Sequence, residues 1–233
     1  VIEPDAKDID TNELLQGYLR QLRRLGGRLL LNAEILGLVR DGHGWIIETH
    51  AGTMNAETVV NAAGAWADDI AAMAGVRPVG LMPKRRTAFV FQPPSDIHIS
   101  SWPLVIGARE DFYFKPDAGN LLVSPADETP SPPTDAQAEE MDVAIAADRL
   151  MSATTLEIRH IARRWAGLRT FAVDKTPVVG FDPKIEGFLW LAGQGGYGFQ
   201  TAPALASVAA ALTEGQGVPS RLQDLGLTEK TLS

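Results

Sequence analysis

The segment from Gly187 to Leu212 limits the possible folds of this chain more than any other. Gly187-Phe188-Leu189-Trp190-Leu191-Ala192 is an apolar run of strand length and reads as a buried strand. It runs into Gly193-Gln194-Gly195-Gly196-Tyr197-Gly198, and small residues from Ala202 to Leu212 then read as a helix. Thr201 is the expected N-cap, with Pro203 in the first turn. Strand, glycine loop and helix in this order point to an α/β architecture. Glycines let backbone approach a ligand closely, and a helix N-terminus offers unpaired amides and partial positive charge. Such a loop suits a ligand edge that is, or becomes, anionic. The spacing also fits G-x-G-x-x-G, but it lies near the C-terminus, with no acidic residue about 20 positions later at the end of a second strand, as the dinucleotide fingerprint requires. A tight turn with close helix–strand packing satisfies the same spacing.

A second unit of this kind lies earlier. Thr58-Val59-Val60-Asn61-Ala62-Ala63-Gly64 reads as an apolar strand ending in small residues, and Trp66 to Ala74 as a helix closed by Gly75. Ala62, Ala63 and Gly64 are small enough for a cofactor to lie across them, although ordinary βα packing asks for the same residues. Upstream, Asp10 and Glu13 form a capping box for a helix carrying Leu14, Tyr18, Leu22 and Leu25, which Gly26-Gly27 ends. Strands are expected at 28–31, 35–39, 45–49 and 54–60.

From Pro78 the texture changes. Runs at 87–91, 102–106, 111–115 and 121–124 are closely spaced, with turns such as Pro116-Asp117-Ala118-Gly119, and they predict an antiparallel sheet. A polar loop at 127–138, a helix at about 139–154 and a strand at 163–171 complete it. The fold class is therefore α/β (α+β).

Composition excludes several functions. The net charge of −8 argues against a nucleic-acid surface and against an anionic-membrane patch. The absence of cysteine removes disulfides, thiolate metal sites and cysteine nucleophiles. Four scattered histidines give no zinc-site spacing. No apolar run reaches the roughly 18 residues of a membrane span, so no stable membrane insertion is expected and a cytoplasmic protein is the default. Val1-Ile2-Glu3-Pro4 opens without Met and reads as the interior of a longer chain.

Four polar residues fall on the expected antiparallel sheet: Arg85, Arg86, Tyr113 and Arg169. Arginine grips a carboxylate through a two-bond fork, and tyrosine can add one bond. Salt-bridge or rim positions account equally well for each residue taken alone.

As an ordered set, several stretches resemble the D-amino-acid oxidase-like family of FAD-dependent oxidoreductases. They are Gln16 to Arg20, Val59 to Trp66, Pro83 to Phe89, Phe112 to Gly119, Trp165 to Arg169, Gln194 to Thr201 and Leu225 to Leu227. Within the family the chain looks most like the D-arginine and related D-amino-acid dehydrogenases. The resemblance implies an incomplete Rossmann-like FAD-binding domain, about 1–75 and 170–233. It also implies a substrate-binding domain, about 76–169, with a mixed or antiparallel sheet. Non-covalent FAD and a small-molecule amino acid substrate follow, with the electron acceptor open.

By the same resemblance Arg169 pairs with the substrate carboxylate, and Arg86 and Tyr113 add contacts. Ile35 holds the adenine through its backbone. Ala63, Gly64 and Trp66 lie by the cofactor. Gly193, Gly195, Gly196, Tyr197, Gly198, Phe199, Gln200 and Thr201 surround the flavin, with Gly196 and Gln200 also near the substrate. No side chain is expected to act as nucleophile or base. The family opens with a strand, a G-x-G-x-x-G loop and a helix that hold the FAD pyrophosphate, and none of these residues matches that unit. The isolated chain is therefore expected to bind FAD weakly and to be inactive alone. Oxidation of glycine, sarcosine or proline on the same scaffold, or a non-catalytic remnant, remains an alternative.

Overall fold

The computed structural model describes residues 1–42 and 44–228. The chain divides into two compact units, one of residues 1–62, 67–78 and 177–233, the other of residues 63–66 and 79–176.

The first unit opens with helix α1 (Thr11–Arg24), whose N-cap Asp10 accepts a hydrogen bond from the Glu13 amide at 2.9 Å. Gly26 takes a positive φ of 84° and Gly27 N–H bonds the Leu22 carbonyl, which stops the helix. No residue of α1 is buried, and Leu15, Tyr18, Leu22 and Leu25 of its apolar side are exposed.

The stretch 28–31 forms no strand. Leu29, Leu30 and Leu31 are exposed and the backbone there has no sheet neighbour among the described residues. Strands β1 (Ile35–Asp41), β2 (Gly44–Thr49) and β3 (Gly52–Ala56) form an antiparallel sheet. The run 54–60 is two strands rather than one. Its first part joins β2, whereas β4 (Val59–Asn61) pairs in parallel with β12 (Phe188–Ala192). An edge strand not foreseen, β11 (Val178–Phe181), completes the order β11-β12-β4. Trp45 ties the two sheets together, donating to the Gly187 carbonyl at 3.0 Å and tilting against Phe188.

Helix α2 (Ala67–Met73) follows β4, and α4 (Gly198–Thr213) follows β12. Leu205, Val208 and Ala209 of α4 pack with Val179, Leu189 and Val218 in this unit's core. A short α5 (Ser220–Gln223) is the last helix among the described residues.

The second unit is a sheet of six strands covered on one face by helix α3 (Glu140–Ala153). The strands are β5 (Met82–Phe91), β6 (Val105–Ile106), β7 (Tyr113–Asp117), β8 (Asn120–Ser124), β9 (Thr129–Pro130) and β10 (Ile161–Phe171). They run in the order β10-β5-β8-β7-β6, all antiparallel, with β9 against the start of β5. Of the run 102–106 only Val105 and Ile106 pair with a neighbour. Phe89, Phe91, Leu121 and Val123 point down onto Val143, Ala146 and Leu150 of α3 to form the core. Among the described residues, no helix is long and apolar enough to cross a membrane.

Candidate substrate and cofactor sites

Alternation along a strand decides what the other face of this sheet carries. If Phe89 and Phe91 face α3, then Arg85 and Thr87 share that face, while Lys84, Arg86 and Ala88 point away. The register pairs Arg86 with Gly167 and Lys84 with Arg169. Cross-strand partners share a face, so Lys84, Arg86 and Arg169 stand together. Tyr113 joins them, because it pairs with Ser124 while Phe114 pairs with the core residue Val123.

Arg169 is half-buried and hydrogen-bonded to Tyr113. Burial, and then the charge of Arg86, push its pKa below the usual arginine value, with Tyr113 and Glu128 acting the other way. A guanidinium so displaced is still protonated at neutral pH. Among the described residues, no carboxylate lies within ion-pair distance of it. Arg86 is better satisfied, donating through Nε to the Asp127 carbonyl at 2.8 Å and lying 3.5 Å from Glu128. The structure thus brings Arg86, Tyr113 and Arg169 together.

Arg85 does not join them, which corrects the grouping suggested by sequence. It lies on the α3 face, paired with Glu139 and, at 2.7 Å, with Asp142. Burial opposes its charge, but the bonds to Glu139 and Asp142 prevail and raise its pKa. Three further residues escaped the sequence reading: Lys84, Glu128 and Lys175. Lys84 could have been found by its two-residue offset from Arg86. Glu128 and Lys175 sit in irregular segments that offer no periodic signal.

In the other unit, Gly193 and Gly195 take φ of 74° and 54°, values that favour glycine. The helix begins at Gly198, with Tyr197 as its N-cap, four residues before the start expected from sequence. Thr201 is therefore inside the first turn and is not the cap. Its amide bonds the Tyr197 carbonyl at 3.0 Å and its hydroxyl bonds the same oxygen at 2.8 Å. Pro203 accordingly falls in the second turn, where the missing N–H leaves the Phe199 carbonyl without its helical donor. No side chain caps the helix start. The amides of Gly198, Phe199 and Gln200 precede the first helical bond, and Gly196, Tyr197, Phe199 and Gln200 are exposed. Ile35 is half-buried at the start of β1, beside a register irregularity.

The turn at 63–66 groups with the sheet unit and packs beside β10. Gly64 has φ 57° with open space where a side chain would project, and Trp66 bonds the Ala63 carbonyl while leaving 47% of its surface exposed.

One unit thus carries two parallel strands, each followed by a helix, the second with uncapped amides, and the other carries a sheet with clustered Arg86 and Arg169. The chain belongs to the DAO family of FAD dependent oxidoreductases, whose family profile matches residues 1–212. It is 25% identical over 211 residues to glycine oxidase of Geobacillus kaustophilus, covering 87% of this chain and 52% of that protein. It is 25% identical over 179 residues to hydrogen cyanide synthase subunit HcnC of Pseudomonas aeruginosa, covering 76% of this chain and 42% of that protein. Among solved structures it is similar to L-proline dehydrogenase from P. horikoshii. The TM-score is 0.76 at 25% identity, over 90% of this chain and 57% of that one. The chain thus spans about half the length of the curated relatives it matches.

The residues present fit the family's cofactor. The uncapped start of α4 offers amides to an electron-rich edge, and the positive-φ glycines before it keep Cβ atoms off the approach. Gly64 offers a similarly bare backbone in its own unit.

Proposed function

We propose that the whole protein oxidises a D-amino acid to its imino acid, using FAD. The observation that supports this reading is Arg169, a half-buried guanidinium bonded to Tyr113 and lacking an ion-pair partner among the described residues. Such a group has its fork available for a carboxylate, and Tyr113 and Arg86 add a donor and positive potential. When bound, FAD would supply the acceptor for a hydride from the substrate α-carbon, and the imino acid would then react with water to give a keto acid and ammonia. The chain's own residues position the reactants. Gly193, Gly195, Gly196, Tyr197 and the first turn of α4 would hold the flavin, with the free helix amides offering it partial positive charge. No side chain serves as nucleophile.

A second reading is oxidation of glycine, sarcosine or proline, which the names of the two relatives glycine oxidase and L-proline dehydrogenase favour. Turnover of D-alanine, L-alanine, glycine, sarcosine and L-proline by the full-length protein, with oxygen or a quinone dye as acceptor, separates them. A preference for D-alanine supports the first reading, and a preference for the secondary amines or glycine the second. Failure with every substrate contradicts both.

The cofactor half has its own test. Gly196→Val in the full-length protein places a branched side chain at the loop, so flavin should be lost on gel filtration while the circular dichroism of the protein is retained. A variant that stays yellow and active reduces the loop to a turn.

A further inference from the structure

Beyond the arginine pair, the face of the six-stranded sheet opposite α3 carries more positive charge than one substrate carboxylate can balance. Lys84 Nζ lies 2.9 Å from Glu128 Oε2, Lys175 Nζ lies 3.6 Å from the same oxygen, and Arg86 lies 3.5 Å from Oε1. The ion pairs of these three cations thus share a single carboxylate among the described residues. Both lysines also stand over the ring of Phe171, at 5.0 and 5.6 Å from its centroid. Lys84 is the more withdrawn, with 18% of its side chain exposed. A partly dry ammonium keeps its charge only at the cost of lost hydration, which a nearby anion offsets.

Counting Arg169, four cations face one carboxylate. A monocarboxylate bound at Arg169 leaves the group with a net charge of +2. Lys84 is the direct cross-strand partner of Arg169, so their Cα atoms stand about 5 Å apart. A compact molecule can reach both.

We propose that Lys84 and Lys175, beside Arg169, form a subsite for a second anionic group, so that the preferred ligands are dicarboxylates, and that Glu128 sets the strength of this preference. The inference rests on the reading of Arg169 as a carboxylate ligand. Glu128 acts as the resident anion: it holds both ammoniums in place and competes with the incoming group. A substrate with an acidic side chain fits this charge pattern better than its amide or aliphatic counterpart.

The test uses succinate and propionate, which differ by one carboxylate and are not amines, titrated calorimetrically into the full-length protein at a fixed ionic strength of about 0.1 M. Succinate should bind about tenfold more tightly or better. In Lys84→Met the ratio should fall towards one, and in Glu128→Gln it should widen. If Lys84→Met does not fold, Lys175→Met and Glu128→Gln carry the test through their opposite shifts. A ratio near one in the parent protein, or a ratio that these substitutions leave unchanged, overturns the subsite. The underlying reading fails separately: Arg169→Ala that leaves propionate binding intact breaks it, whatever the ratio. Absence of binding by either probe counts against both.

Discussion

Arg85 and Arg86 are neighbours on β5, yet the two faces of the sheet put them to opposite uses. On the α3 face, Arg85 meets Glu139 and Asp142 at the start of the helix and anchors that helix above an apolar core. On the other face, Arg86 stands with Lys84, Lys175 and Arg169, and Glu128 is the one carboxylate in their ion pairs among the described residues. The first arginine has its counter-charges inside the fold. The second group is short of them. An arginine balanced by its own chain is structural, whereas one left short of negative charge is suited to receive an anion from outside.

Substitutions can break this contrast at several strengths. The largest effect on stability belongs to the covered face. Phe89→Ala removes a fully buried ring from the core and should destabilise the sheet unit by about 3–5 kcal/mol in urea denaturation. A loss below about 1 kcal/mol would mean that α3 does not rely on that face. Arg85→Ala should come next, at about 1–3 kcal/mol, because Asp142 is left with little solvent to replace its partner. Carboxylate binding should be untouched, and a loss of binding there would erase the distinction between the faces.

The smallest effect concerns acid. The Lys84 hydrogen bond holds the Glu128 carboxyl below its usual range, against the opposing influence of burial. A depressed folded-state pKa adds stability that is present above the ordinary glutamate range and is lost as pH falls through the lower, folded value. Glu128→Gln should therefore lower stability slightly near neutrality and flatten the acid limb of the stability curve, the two proteins converging as pH falls. A Glu128→Gln protein whose acid limb matches the parent would place the Lys84–Glu128 pair outside the folding balance.

The faces also differ in how far the sequence disclosed them. The antiparallel sheet and the α3 helix were legible because strand alternation and a polar loop with a following helix leave local marks. The capped α1 was legible for the same reason, through Asp10 and Glu13. The start of α4 was misplaced, because Thr201 looks like a cap by residue type while the backbone turns helical at Gly198. The run 28–31 looked like a strand by composition but has no partner, and pairing is a property of distant chain. Within the site, Arg86, Tyr113 and Arg169 were found through the family resemblance. Their face could not be assigned until the register was known, and so Arg85 was grouped with them. Glu128 and Lys175 come from loops, where only the folded chain shows what they meet.

Carboxylate capture by Arg169 is the role proposed for the face opposite α3. Its most direct test is a substrate pair, a D-amino acid and the amine left by its decarboxylation, assayed in the full-length FAD-loaded protein with Arg169 and with Arg169→Ala. In Arg169→Ala, kcat/KM for the amino acid should fall by about 100-fold or more, with partial recovery in Arg169→Lys, while the poor amine substrate should lose less than about threefold. Equal losses for both substrates would contradict it, and would make Arg169 a structural residue like Arg85.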